Sequence, residues 1–227
     1  MKLRIIIFGF FFLLCFKAVV AQQNDRGVWT TVDIEKKLNK RWDAAAGFEY
    51  RTKDGTSLTD QIRGSLGVDY KPYKFLKFAA AYTLIADKKQ KRDIFVNRHR
   101  FTFNATATYK FDRFTASWRP RLQATFYDKS EMDADELDNY RWVMRNRFGL
   151  KYNIKKTPLK PYVQYELFNR IFSEISPSYY KNRFSTGVEI SIGKRHELDL
   201  GYKRNSELKN NKKYRFDAVA VGYTFAF

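Results

Sequence analysis

Residues 114–126 read FTASWRPRLQATF, and taking alternate positions splits the stretch into two unlike sets. Phe114, Ala116, Trp118, Pro120, Leu122, Ala124 and Phe126 carry no charge, while Thr115, Ser117, Arg119, Arg121, Gln123 and Thr125 are all polar. Successive side chains of a β-strand point to opposite faces, so the alternation predicts a strand with one apolar and one polar face. A helix would spread both sets around its circumference.

The pattern continues on either side. Ile62, Gly64, Leu66, Val68 and Tyr70 oppose Gln61, Arg63, Ser65, Gly67, Asp69 and Lys71; Phe101, Phe103, Ala105, Ala107 and Tyr109 oppose Arg100, Thr102, Asn104, Thr106, Thr108 and Lys110. The same rule places eleven candidate strands at about 28–35, 42–51, 61–71, 76–85, 97–110, 114–127, 142–153, 159–168, 181–192, 196–203 and 214–227. Short connections (36–41, 72–75, 111–113, 154–158, 193–195) alternate with longer ones (52–60, 86–96, 128–141, 169–180, 204–213). That asymmetry predicts an all-β chain, a transmembrane antiparallel up-and-down β-barrel with short periplasmic turns and longer external loops.

A soluble lipocalin-like barrel also alternates, with its apolar face turned inward. Three features favour the membrane form. Many strands are about ten residues long, which suits a tilted crossing. Trp42, Tyr50, Tyr70, Tyr82, Tyr109, Phe114, Phe126, Tyr152 and Tyr202 sit toward the ends of apolar faces, where rings meet the bilayer interface. Finally, Gly222, Tyr223, Phe225 and the terminal Phe227 resemble the C-terminal sorting signal that barrel-assembly machinery reads.

The first residues indicate export. Lys2 and Arg4 precede the apolar run Ile5–Phe16, and Val19, Val20 and Ala21 form a small-residue cleavage site. This is the pattern of a secretory signal peptide, and the run is shorter than the roughly 20 residues of a spanning helix. Leu14 stands before Cys15 where lipoprotein processing wants a small residue. The expected organisation is a cleaved leader over residues 1–21 and one barrel domain over 22–227. With Lys2, Arg4 and Lys17 removed, the mature chain carries 40 basic and 24 acidic residues, a net charge of +16, and no cysteine. Disulfide and thiolate–metal chemistry are therefore excluded, and export argues against nucleic acid as the partner of so basic a chain.

Two points strain the scheme. Bacterial single-chain barrels have even strand numbers, so eleven candidates imply a hidden twelfth strand, or ten with residues 28–35 outside the wall. In the last strand Arg215 and Asp217 share the parity of Val219, Val221, Tyr223 and Phe225. A bulge near Phe216, or a start beyond the membrane, would restore the phase.

Trp29, Glu35-Lys36-x-Leu38-x-Lys40-x-Trp42, Glu49-x-Arg51, Asn97-Arg98-x-Arg100, Pro161-Tyr162-Val163-x-x-Glu166 and Asn182-Arg183-Phe184 together resemble domain-of-unknown-function family 2490. The resemblance implies an exported barrel-like protein of a kind found mainly in Bacteroidota. It brings no assigned activity and no catalytic residues.

Little on the chain suggests catalysis. Barrel phospholipases and lipid A deacylases pair a histidine with a serine, and this chain has only His99 and His196. His99 shares parity with Phe101, and His196 with Leu198, so both are expected to face outward; Ser185 and Ser191 lie on the polar parity, through the wall from His196. A barrel hydrolase acting on envelope lipids is the alternative reading, and no enzyme is the expectation. Asp128, Glu131, Asp133, Asp135, Glu136 and Asp138 lack the glycine and spacing of a defined calcium loop, so no metal or other cofactor is expected. Lys88, Lys89, Lys91 and Arg92 suit the anionic lipopolysaccharide surface. Membrane lipid, lipopolysaccharide and the assembly machinery are the expected partners.

The polar parity is the informative face. Arg98, Arg100, Arg119, Arg121, Arg145 and Arg147 fall in pairs on three consecutive strands, while Asp43, Glu49, Asp69, Glu166, Glu189, Glu197 and Asp199 fall on the others. If the wall closes in sequence order, a basic side faces an acidic one. The expectations are a transverse field across a narrow, anion-preferring pore, or a salt-bridged polar core with a structural role. Ten to twelve strands lie between the roughly eight that side chains fill and the roughly 16 of open channels. A charge is expected to be tolerated at Gln123 and not at Leu122.

Overall fold

The computed structural model describes residues 24–90, 92–127, 140–172, 179–209 and 212–227. The expected leader over residues 1–21, Lys91 and the acidic segment 128–138 lie outside them. The described residues form eleven strands: β1 Asn24–Lys37, β2 Trp42–Lys53, β3 Leu58–Tyr73, β4 Leu76–Lys89, β5 Ile94–Phe111, β6 Phe114–Tyr127, β7 Tyr140–Tyr152, β8 Leu159–Ile171, β9 Tyr179–Ile192, β10 His196–Lys209 and β11 Lys212–Ala226. Each pairs with its chain neighbours, and β1 pairs with β11 to close the barrel.

Closure settles the strand count. In an up-and-down wall of eleven strands the first and last run in the same direction, so they can meet only in parallel. They do so without a break from Asn24–Arg215 to Glu35–Ala226. Phe227 extends the seam: its N–H donates to the Glu35 carbonyl at 2.9 Å, and its carbonyl accepts from the Lys37 N–H at 3.0 Å. Residues 28–35 therefore belong to the wall, and the choice between ten and twelve strands is corrected to eleven.

The suspected bulge near Phe216 is also absent, because β11 keeps continuous register with both β10 and β1. Instead the strand begins beyond the apolar band. Outside the wall, Asp217 forms ion pairs with Arg204 at 3.1 Å and Arg215 at 3.0 Å, while Phe216 points inward against Trp29. Strand extension likewise takes up most of the expected long connections 86–96 and 204–213.

Five turns (38–41, 74–75, 112–113, 153–158 and 193–195) lie at the end of the barrel that holds the C-terminus, here the turn end; the other connections form the loop end. Local chemistry makes the turns tight. Asn39 Oδ1 accepts from the Arg41 and Trp42 N–H groups at 2.8 and 3.0 Å, and Asp112 takes the left-handed φ of 48° that a two-residue hairpin needs.

The strands are strongly tilted. Following registered partners from Lys37 through Asp43, Asp69, Ala79, Asn104, Arg121, Arg145, Phe168, Lys181, Glu207 and Tyr214 returns to β1 at its opposite end, beside the Asn24–Arg215 pair. Such stagger is what closes a sheet into a barrel.

The faces fall as the alternation predicts. Leu66 is 66% exposed and Phe103 56% on the outer surface, whereas Thr125 is 2% and Glu166 4% exposed inside. A lipocalin-like barrel would reverse these values. An apolar outer band of this kind is costly in water and favourable in hydrocarbon, and closure leaves no strand edge unpaired in lipid.

Candidate functional site

The inner surface encloses a cavity of about 640 Å³, lined by residues of every strand. Four arginines meet on β6 and β7, because the register sets Arg119 directly opposite Arg147 and Arg121 directly opposite Arg145. Like charges directly opposed on one face repel. Their hydrogen-bond partners are mostly neutral: Arg121 Nε donates to Asn104 Oδ1, and Arg147 donates to Gln164 Oε1 at 3.1 Å. Arg119 Nε is buried and has no acceptor among the described residues.

Arg145 alone of the four has a carboxylate partner among the described residues. It grips Glu166 with three hydrogen bonds, the shortest 2.8 Å, and donates to Gln123 Oε1 at 3.0 Å. Arg183 approaches the same carboxylate at 3.6 Å. On β5, Arg100 donates to Thr125 Oγ1 at 3.0 Å and Arg98 pairs with Asp87 at 2.6 Å. The six arginines of the expected basic wall are thus on one side of the lumen.

Among the described residues there is no acidic wall opposite of the kind expected. Glu49 pairs with Arg51 at 2.6 Å and Arg63 at 3.1 Å, and Glu166 sits within the basic group. Among the described residues thirteen basic and six acidic ones line the cavity, and the basic ones include Arg51, Arg63, Arg183 and Lys203 on the far side. Asp43, Asp69 and Glu189 lie outside the cavity near the turn end, paired with Lys71, Lys77 and Lys151. Glu197 pairs there with Lys160 at 3.7 Å, and Asp199 accepts from the Tyr162 hydroxyl at 2.9 Å. The segregation therefore runs along the barrel axis: unbalanced arginines around the cavity, balanced lysine–carboxylate pairs at the turn end. The transverse field is corrected accordingly, because strand order alone does not reveal that Glu166 neutralises its own side.

The turn-end network owes its packing to two glycines. A Cβ at Gly187 or Gly201 would meet the Tyr162 hydroxyl at 2.7 Å, so the tyrosine crosses toward Asp199 over wall that carries no side chains. The tolerance expected at Gln123 is also corrected: the residue is 8% exposed and an arginine there would meet Arg145.

Inward aromatics are the feature the sequence reading missed. Trp29 is buried with the Arg51 guanidinium 3.7 Å from its ring centroid, and with Arg183 and Lys203 at 4.9 and 5.4 Å. Phe168 lies under Arg145 at 4.5 Å and packs with Val143 and Tyr180. The signal was present in the parity, since Trp29 shares it with Thr31 and Asp33, and Phe168 with Gln164 and Glu166. Stacking lets a wide flat cation pack against an apolar ring without leaving its polar partners.

The remaining candidates face outward. His99 Nδ1 and the Tyr82 hydroxyl are 2.7 Å apart, as are His196 Nδ1 and the Tyr223 hydroxyl. Tyr223, Phe225 and Phe227 line the outside of the seam, where Phe225 stacks on Phe227, and Gly222 follows on the inner parity beside Asp199. At the loop end Lys88 pairs with Asp93 at 2.6 Å and holds its carboxyl below the usual range by hydrogen bond and charge. Among the described residues no group of three or more histidine, cysteine, aspartate or glutamate side chains could hold a metal ion.

No curated protein matches the chain. Among solved structures it is similar to the beta domain of the Bordetella autotransporter Brka, with 14% identity, a TM-score of 0.42, and coverage of 72% of this chain and 76% of that one. The model of the family described as "Protein of unknown function (DUF2490)" matches residues 26–215, and the chain belongs to that family.

Proposed function

We propose that the protein is an outer-membrane barrel whose lumen admits small anions, and that it is not an enzyme. The observation that carries this reading is the charge of the cavity: among the described residues, thirteen basic against six acidic lining residues around about 640 Å³. A low-dielectric wall focuses such an excess, raising the local concentration of anions and repelling cations. The leader of residues 1–21 and the apolar outer band support the location. Every turn carries a basic residue (Lys40, Arg41, Lys74, Arg113, Lys155, Lys156, Lys194, Arg195), which suits anionic headgroups of the leaflet that the turns meet. Lys88, Lys89 and Arg92 suit lipopolysaccharide at the other end, and Gly222, Tyr223, Phe225 and Phe227 suit the assembly machinery. Each histidine is bonded to a tyrosine on the outer face, an arrangement that favours a belt role over hydrolysis.

The test is the reversal potential of refolded protein in a planar bilayer under a potassium chloride gradient. The expected sign is that of chloride preference. A barrel that conducts with cation preference, or does not conduct, would overturn the pore reading.

A further inference from the structure

We propose that the arginine cluster on the inner face of β6 and β7 is a binding site for a phosphate group, presented as inorganic phosphate or as a small phosphate monoester. The inference rests on the anion-admitting lumen for access, and it goes further by naming a site and a ligand class.

The argument begins with an imbalance. Arg119, Arg121, Arg145 and Arg147 form two directly opposed pairs, and Arg183 reaches the same group from β9. Among the described residues, Glu166 is the one carboxylate that these five arginines contact. Its oxygens are taken by Arg145 and Arg183, while Arg121 and Arg147 have neutral amide partners and Arg119 Nε has none. Guanidinium stays charged under all ordinary conditions, so the cluster cannot relieve itself by losing a proton. Partly desolvated like charges on adjoining strands are unfavourable unless a counter-charge joins them.

The donors select the counter-charge. A guanidinium offers parallel N–H groups that match two oxygens of one oxyanion, whereas a halide offers a single centre. Several forks converging from two strands suit the three or four oxygens and the double charge of phosphate better than the two oxygens and single charge of a carboxylate. A volume of about 640 Å³ also falls in the range of small-molecule sites, leaving space for an organic group beyond the phosphate. Phe168, lying beneath Arg145 at 4.5 Å, gives that space an apolar floor.

The experiment uses the refolded mature chain in detergent at constant ionic strength. Thermal unfolding and titration calorimetry are compared for chloride, sulfate, inorganic phosphate and glycerol 3-phosphate. Phosphate should bind saturably, one per barrel, and raise the midpoint; chloride should not. Arg119→Gln should raise the midpoint without phosphate, because a repelling charge is gone, and weaken phosphate binding at least tenfold. Arg204→Gln, outside the wall, is the control and should leave binding unchanged. Tighter binding of glycerol 3-phosphate would mark a monoester as the ligand, and binding confined to inorganic phosphate would mark the free ion. Equal responses to phosphate and chloride in the wild type, or phosphate binding undiminished in Arg119→Gln, would overturn the site. Saturable binding by a barrel that does not conduct would uphold the site and overturn the pore; anion conductance without binding would do the reverse.

Discussion

Leu122 and Gln123 are adjacent and differ mainly in the face they occupy. Leu122 stands on the outer wall, registered with Phe103 and Met144, and Gln123 stands inside against Arg145. Leu122→Arg should cost about 2–4 kcal/mol in a refolding titration with lipid vesicles if the site lies near the bilayer midplane. At Gln123 the sign of the charge should matter. Gln123→Arg adds a cation to an unbalanced cluster and should destabilise, whereas Gln123→Glu supplies Arg145 with a second carboxylate and should be neutral or stabilising. Equal effects of the two Gln123 changes would remove the electrostatic account of the lumen.

The strand that closes the wall combines two roles in its final residue. Phe227 holds β1 through its backbone N–H and carbonyl, and its ring stacks on Phe225 beneath Lys36. Deleting the residue removes both kinds of interaction, so it cannot separate recognition from stability. Phe227→Ala keeps the backbone bonds and removes the ring. Refolding of Phe227→Ala in detergent should stay within about 1 kcal/mol of wild type, the cost of one exposed ring contact. Assembly in cells should fall severalfold if the ring is a recognition element. Parallel losses in the two assays would leave strand stability as the sufficient cause. Deletion should depress both, because the seam then loses its last two hydrogen bonds.

For the whole molecule, closure predicts resistance to detergent: unheated protein should migrate differently from boiled protein on an SDS gel and fractionate with outer membranes. Recovery of the mature chain as a soluble monomer would contradict the membrane reading. The charge distribution makes a second prediction. Changing Arg119 and Arg121 together to Glu should move the reversal potential toward cations, most at low salt where screening is weakest. The register sets those positions opposite Arg147 and Arg145, so the double variant gains two cross-strand pairs and should fold at least as stably as wild type. Unchanged selectivity in a conducting, folded variant would show that ions do not pass the cluster.

Alternation in FTASWRPRLQATF and its neighbours determined which side chains meet lipid and which meet the lumen, because a strand's faces follow from adjacent residues alone. It also marked eleven candidate strands, but the expectation of an antiparallel closure turned that odd count into a choice between ten and twelve, which the structure overturned. The parallel seam could not be read locally: it depends on β1 and β11, at opposite ends of the chain, meeting at one register. Inward parity likewise identified the six arginines and the acidic residues, but not their pairing. Stagger carries each strand's residues to different depths, so Glu166 comes to lie among the arginines while Asp43, Asp69 and Glu189 collect near the turn end. Periodicity is a property of neighbours along the chain; which charges neutralise one another is a property of the closed wall, and only the tertiary structure decided it.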